Sequence, residues 1–328
     1  MPESSANIGK KPPTRAIFGA TGAVGKALAR EFASTGTPFR EVGRSAERLQ
    51  LDFARYGDLV EYHRADLQDP AAARAAVTVV DTIFYTVGVP YTDFALHPKL
   101  TRVVLDAAIN AGVSRFVLVG TVYPYGIPQR ELVNESHPRN PHTFKGRMRK
   151  EQEDLVLQAH GRNGLRTTLL RPPDFYGPES ELSYAADMFK AAVQGRRADV
   201  IGPIDTLHEF IYVPDVARTL IALSEKEQAY GSAWNLAGPG LITTRRFAEL
   251  VFAAVGRTPQ LRVANKLMLR LIGLFKPMMR EIAEMHYLWT TPVKLDDSRL
   301  RELLPDLRKT SYEDGIRATI DEMRKKDA

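Results

Sequence analysis

The chain has 328 residues, 44% hydrophobic and 26% charged, with a formal net charge of +6 and no cysteine. That length allows one large domain or two modest ones, with the composition of an ordinary globular protein. The lack of cysteine excludes disulfides, thiolate metal sites and cysteine nucleophiles, and the dispersal of the basic residues argues against a nucleic-acid partner.

Residues 1–14 are polar and proline-rich and read as a flexible tail without a secretory signal. From residue 15, apolar runs alternate with helical patterns, the signature of a parallel sheet with crossover helices. Strands are expected at 15–18, 39–42, 59–63, 82–85, 115–119 and 166–170. Helices are expected at 24–34, 70–77, 100–111 and 149–160, the second opened by Pro70 and the third closed by Gly112. The fold class is therefore α/β, a Rossmann-type doubly wound parallel sheet over 15–176 with a smaller substrate-covering region over 177–328. In that region 188–193, 214–223 and 244–255 read as helices and 233–236 as a strand. Segments around 205–236 are candidates for a return to the main sheet. The stretch 264–289 is rich in Met, Leu and Ile around Arg270, Lys276, Arg280 and Glu281. Its apolar spacing is helical and reads as core- or dimer-facing helices, or as a membrane-surface helix. No apolar run reaches bilayer-spanning length, so a cytoplasmic protein without stable membrane insertion is expected.

Gly19-Ala20-Thr21-Gly22-Ala23-Val24-Gly25 joins the first strand to the first helix. Gly19 permits the tight turn, Gly22 lets backbone N–H groups approach a pyrophosphate, and Gly25 lets the helix pack close to the sheet. With Thr21, Ala23 and Val24 they form a candidate dinucleotide cradle at a helix N-terminus. NAD enzymes usually place a carboxylate at the end of the second strand, to bind the ribose hydroxyl. Here the chain reads Val42-Gly43-Arg44-Ser45. Arg44 offers a fork of donors to a 2′-phosphate and Ser45 adds a hydroxyl, which favours NADP over NAD. Glu41 is expected to point elsewhere.

Further motifs follow in order. They are Ala65-Asp66-Leu67, Tyr85-Thr86-Val87-Gly88, Gly120-Thr121-Val122-Tyr123-Pro124-Tyr125-Gly126, Leu170-Arg171-Pro172-Pro173-Asp174-Phe175-Tyr176-Gly177-Pro178, and His208-Glu209-Phe210-Ile211-Tyr212-Val213-Pro214-Asp215-Val216. With the glycine spacing they resemble the extended short-chain dehydrogenases, the nucleotide-sugar epimerase and dehydratase superfamily, over about residues 15–320. The resemblance implies that Asp66 and Leu67 meet adenine, that Thr86, Val87 and Gly88 pass beneath the cofactor, and that Pro172 lines nicotinamide. It implies Thr121 as the hydroxyl that holds the oxygen of a small-molecule substrate, and a homodimer through helices 100–111 and 149–160.

One motif departs from the family. Residues 140–149 read N-P-H-T-F-K-G-R-M-R where the family has a pattern close to N-P-x-x-P-Y-G-x-S-K. Lys145 stands at the Tyr position and Arg149 at the Lys position. Arg149 can still bind ribose hydroxyls but cannot release a proton. The acid/base is left open between Lys145, were burial or cofactor charge to lower its pKa, and a loop phenol, Tyr123 or Tyr125. Two functions stand: an NADP(H)-binding, epimerase/dehydratase-like oxidoreductase acting on a carbonyl or hydroxyl, or a catalytically degenerate NADP(H)-binding sensor. His208 reads as a polar edge residue. No His, Asp and Glu set has metal-ligand spacing, so no metal is expected.

Overall fold

The computed structural model describes residues 15–327, so the expected tail at 1–14 lies outside the described residues. The strands are β1 (Arg15–Phe18), β2 (Phe39–Gly43), β3 (Val60–Arg64), β4 (Thr82–Tyr85), β5 (Arg115–Val119), β6 (Arg166–Arg171), β7 (Asp174–Tyr176), β8 (Ala198–Ile201), β9 (Leu207–His208), β10 (Phe210–Tyr212), β11 (Ala233–Asn235), β12 (Ile242–Thr243) and β13 (Leu261–Ala264). Seven of them form one sheet in the order β11-β6-β5-β4-β1-β2-β3, with every pairing in it parallel. This is the Rossmann-type arrangement. Helices cover both faces, so the central strands are apolar without alternation; all four residues of β4 are buried.

The helices that matter most for the sheet are α1 (Ala23–Ser34), α2 (Ala46–Phe53), α3 (Pro70–Ala76), α4 (Leu96–Ala111), α5 (Phe144–Gln158), α6 (Ala186–Gln194) and α7 (Val213–Ser224). Side chains alternate across the sheet. Ile17, Phe39 and Phe84 pack beneath α1, α2 and α7. Ala16, Phe18, Ile83 and Tyr85 pack on the other face with residues of α3, α4 and α5. The chain returns to the sheet after residue 205: α7 lies on α1, and Trp234 of β11 pairs with Leu170 of β6. The remaining helices are α8 (Thr244–Ala253), α9 (Lys266–Gly273), α10 (Pro277–Glu284), α11 (Tyr287–Thr290), α12 (Ser298–Leu303) and α13 (Tyr312–Asp327). A second core joins α6, α8 and α13 through Phe189, Phe247, Tyr312 and Ile316.

Two departures from the sequence reading bear on the site. Helix α5 begins at Phe144, not 149, because Thr143 Oγ1 accepts the Gly146 N–H at 3.0 Å and caps it. Lys145 and Arg149 therefore lie one turn apart on a single helix. The stretch 264–289 divides between α9, α10 and α11. Leu288 and Trp289 of α11 are buried, but α9, α10 and the turn between them leave Leu267, Leu271, Leu274 and Phe275 exposed. No helix among the described residues is long and apolar enough to cross a membrane.

Glu209, between β9 and β10, ties this second core to the chain beyond α11. It is buried, and one of its oxygens accepts the Leu295 N–H at 3.3 Å. Burial pushes its carboxyl from 4.5 up to about 7. A raised folded pKa means the fold favours the neutral acid. Its contribution to stability is complete below the unfolded value of 4.5 and is lost as pH rises through about 7. The loss amounts to about 3 kcal/mol at most. Glu209→Gln should remove that slope, so denaturant unfolding of wild type and variant across this range should diverge as pH rises. Parallel stability curves would contradict the assignment.

Candidate active site

The C-terminal ends of β1, β4, β5 and β6 open into a cleft of about 510 Å3, where open parallel sheets place their ligands. Thr21, Gly22, Ala23 and Val24 form one wall, Thr86, Val87 and Gly88 the floor, and Thr121, Tyr123, Arg149 and Pro172 the inner end. Gly19 has φ +86°, and a Cβ there would lie 2.7 Å from the Thr86 carbonyl. A Cβ on Gly25 would lie 2.5 Å from the Ala20 carbonyl oxygen. Both glycines are required by close backbone approach. Gly22 caps α1 with no side chain over the first turn, so the helix presents bare N–H groups and its positive end to the cleft. This cradle fits a dinucleotide pyrophosphate.

Around the outer end the expected residues are only partly brought together. Arg44 is exposed, and its guanidinium has no partner among the described residues. The Ser45 hydroxyl is engaged, accepting the Arg48 N–H at 3.1 Å as the cap of α2. Asp66 is exposed and accepts the Gln68 N–H at 3.0 Å, while Leu67 is buried. Neither Arg44 nor Asp66 lines the cleft; Lys26 and Arg48 do. Both bond Asp52, Lys26 at 3.1 Å and Arg48 at 2.9 Å. The motif analysis missed both, and the lysine directly after Gly25 was the available signal for one. Glu41 is wholly buried beneath α1 and α2, where burial, and then Asp52, push its carboxyl well above the usual range.

At the inner end Thr121 Oγ1 accepts the Tyr123 N–H at 3.1 Å. The Tyr123 hydroxyl bonds Tyr91 at 2.6 Å, and Tyr91 bonds Tyr184 at 2.7 Å. These three phenols line the cleft as one hydrogen-bonded chain. Burial pushes all three above the ordinary phenol range, with Asp174 adding to the effect. They are therefore protonated donors at neutral pH. Tyr125, the other candidate phenol, is committed elsewhere: its hydroxyl donates to Asn235 at 2.7 Å and accepts from Arg171 at 2.8 Å. Asp174 also lines the cleft and is held by His208 Nε2 at 2.8 Å.

The motif positions have separate fates. Arg149 lines the cleft, donating to the Val119 carbonyl at 2.9 Å and bridging to His97 Nδ1 at 3.1 Å. Burial, and then the guanidinium, push the His97 pKa well below its usual value. Its ring is neutral and Nδ1 accepts. Lys145 does not line the cleft. Its ammonium is fully buried, 2.5 Å from Glu281 and 2.6 Å from Glu284 of α10. It sits outside the phenol chain, 5.5 Å from the Tyr91 ring centroid.

The model of the NAD dependent epimerase/dehydratase family matches residues 16–237. A 3beta-hydroxysteroid-dehydrogenase/decarboxylase isoform 2 of Arabidopsis thaliana is 25% identical, over 55% of this chain and 34% of that protein. A dTDP-glucose 4,6-dehydratase of Streptomyces griseus is 23% identical, over 73% of this chain and 78% of that protein. The chain spans 34% to 61% of the length of the first curated relatives it matches. Among solved structures, a UDP-glucuronic acid 4-epimerase from Bacillus cereus in complex with NAD aligns with a TM-score of 0.77. It is 16% identical and covers 96% of this chain and 99% of that one.

Proposed function

The chain belongs to the NAD dependent epimerase/dehydratase family, and on that premise we propose that it is an NADP(H)-binding oxidoreductase or epimerase acting on a carbonyl or hydroxyl of a small molecule, with a loop phenol as its acid. The observation that carries this reading is the chain Tyr184–Tyr91–Tyr123 beside Thr121 in the cleft. When bound, the dinucleotide would supply hydride chemistry at its nicotinamide. The protein's part is to hold and protonate the substrate. Thr121 would hold the reacting oxygen, and Tyr123 would donate its proton as negative charge develops there, with Tyr91 and Tyr184 behind it as a relay. Burial keeps these phenols protonated at neutral pH, so the form in place is the one that carbonyl reduction needs as its proton donor, although the same burial makes each a weaker acid. Arg149, clamped by His97 and Val119, would meet ribose hydroxyls as the family's lysine does. A cofactor-binding sensor is the second reading, favoured by the withdrawal of Lys145 into its carboxylates. A pair of copies would meet through α4 and α5, where Leu100, Val103 and Leu155 stay half-buried.

The choice of NADP rests on Arg44, whose unengaged guanidinium follows β2, since Arg48 and Lys26 are already paired with Asp52. Charge-assisted contacts to a 2′-phosphate are worth roughly 1.5–3 kcal/mol, or about tenfold to a hundredfold in affinity. Titration of both dinucleotides should show that preference in wild type and its loss in Arg44→Ala. Equal affinities in wild type would refute it, and tighter NAD binding would align this chain with its solved neighbour.

Turnover is tested by screening carbonyl compounds for NADPH oxidation. A substrate found in that screen should be reduced by Tyr123→Phe roughly a hundredfold to ten-thousandfold more slowly, with dinucleotide affinity little changed. An unaltered rate would remove Tyr123 from the chemistry, and a screen that fails throughout would favour the sensor.

A further inference from the structure

We propose that the α9–α10 hairpin is a docking element for a membrane surface rich in anionic lipid. The hairpin is well built but faces outward. Asn265 caps α9 by accepting the Met268 N–H at 2.9 Å, and Pro277 opens α10. Gly273 lets the two helices cross closely, since a Cβ there would lie 2.9 Å from the Arg280 backbone nitrogen. At the turn between them Leu274 is 76% and Phe275 88% exposed, and on α9 Leu267 is 65% and Leu271 55% exposed. A cluster of large apolar side chains on one projecting tip marks an interaction surface.

The charge pattern selects the occupant. Between Glu249 and Glu281 the sequence carries Arg257, Arg262, Lys266, Arg270, Lys276 and Arg280 and no acidic residue. Arg257, Arg262 and Arg280 are engaged with backbone carbonyls, Asp199 and Glu281. Lys266, Arg270 and Lys276, which flank the apolar tip, have no ion-pair partner among the described residues. An apolar tip ringed by unneutralised cations matches an anionic leaflet, whose acyl region takes the tip and whose headgroups take the cations. A second copy of the same face would instead set like charges against each other. The hairpin is not a detached appendage: the inner face of α10 supplies Glu281 and Glu284 to Lys145 and packs on the turn that carries Tyr91. Docking would therefore bring the bilayer near the turn that carries Tyr91, a residue of the cleft.

The full chain is sedimented with vesicles of phosphatidylcholine alone and of phosphatidylcholine mixed with phosphatidylglycerol, at low and high salt. It should pellet with the mixed vesicles and be released by salt. Leu274→Ser with Phe275→Ser should lower partitioning by roughly tenfold or more per side chain. Arg270→Glu with Lys276→Glu should lower it by at least roughly fivefold per charge. All four side chains are exposed, so the variants should melt as wild type does. No binding to the mixed vesicles, or binding that survives both pairs of changes, overturns the proposal. So does light scattering that shows a wild-type assembly dissociated by Phe275→Ser, because a second copy then covers the tip.

Discussion

A lysine with no exposed surface needs its charge answered, and the answer shapes this molecule's reactive end. Lys145 is the second residue of α5, beneath the ring faces of Tyr91 and Phe94. An uncompensated ammonium there would be prohibitive. Glu281 and Glu284 provide the compensation from α10, 136 and 139 residues further along the chain. Glu284 also accepts the N–H groups of Phe144 and Lys145 at 2.5 and 3.3 Å, groups that α5 leaves open at its start. One cluster thus fixes the start of α5, holds α10 against the turn that carries Tyr91 and turns the apolar side of the α9–α10 hairpin outward.

The arginine one turn later is constrained differently. Arg149 cannot give up its proton, so the structure uses it as a fixed bracket between the Val119 carbonyl and a neutral His97. Its positive charge stays at the inner end of the cleft, beside the phenol chain. The site therefore keeps a positive charge at the family's lysine position, while the phenols that line the cleft come from other segments.

The sheet was legible in the sequence because buried parallel strands are short, uninterrupted apolar runs, and the starts and ends of β1, β4 and β5 follow from them directly. The glycine cradle was legible because turn and helix contact demand glycine at fixed spacing. Helix α2 was not read: its apolar residues within eight positions that pack inward are Leu49 and Phe53 alone, too few for a period. The phenol chain was half visible. Tyr123 stands in a motif, but Tyr184 lies 93 residues from Tyr91 in segments without one. The carboxylates of Lys145 were hidden for the same reason, since a contact between α5 and α10 leaves no local pattern. The apolar spacing of 264–289 was correct as helix, yet periodicity cannot say whether the apolar side meets core, partner or solvent.

The central claim is that Lys145 holds α10 in place and does not move the proton. Lys145→Met tests it most directly when stability, dinucleotide affinity and turnover are measured together. Removing one partner of a buried pair whose other members retain some contact with water should cost roughly 1–3 kcal/mol of stability. Affinity for the dinucleotide and the catalytic rate should remain close to wild type. A variant that folds and binds as wild type does but has lost turnover would contradict the account and return Lys145 to the chemistry.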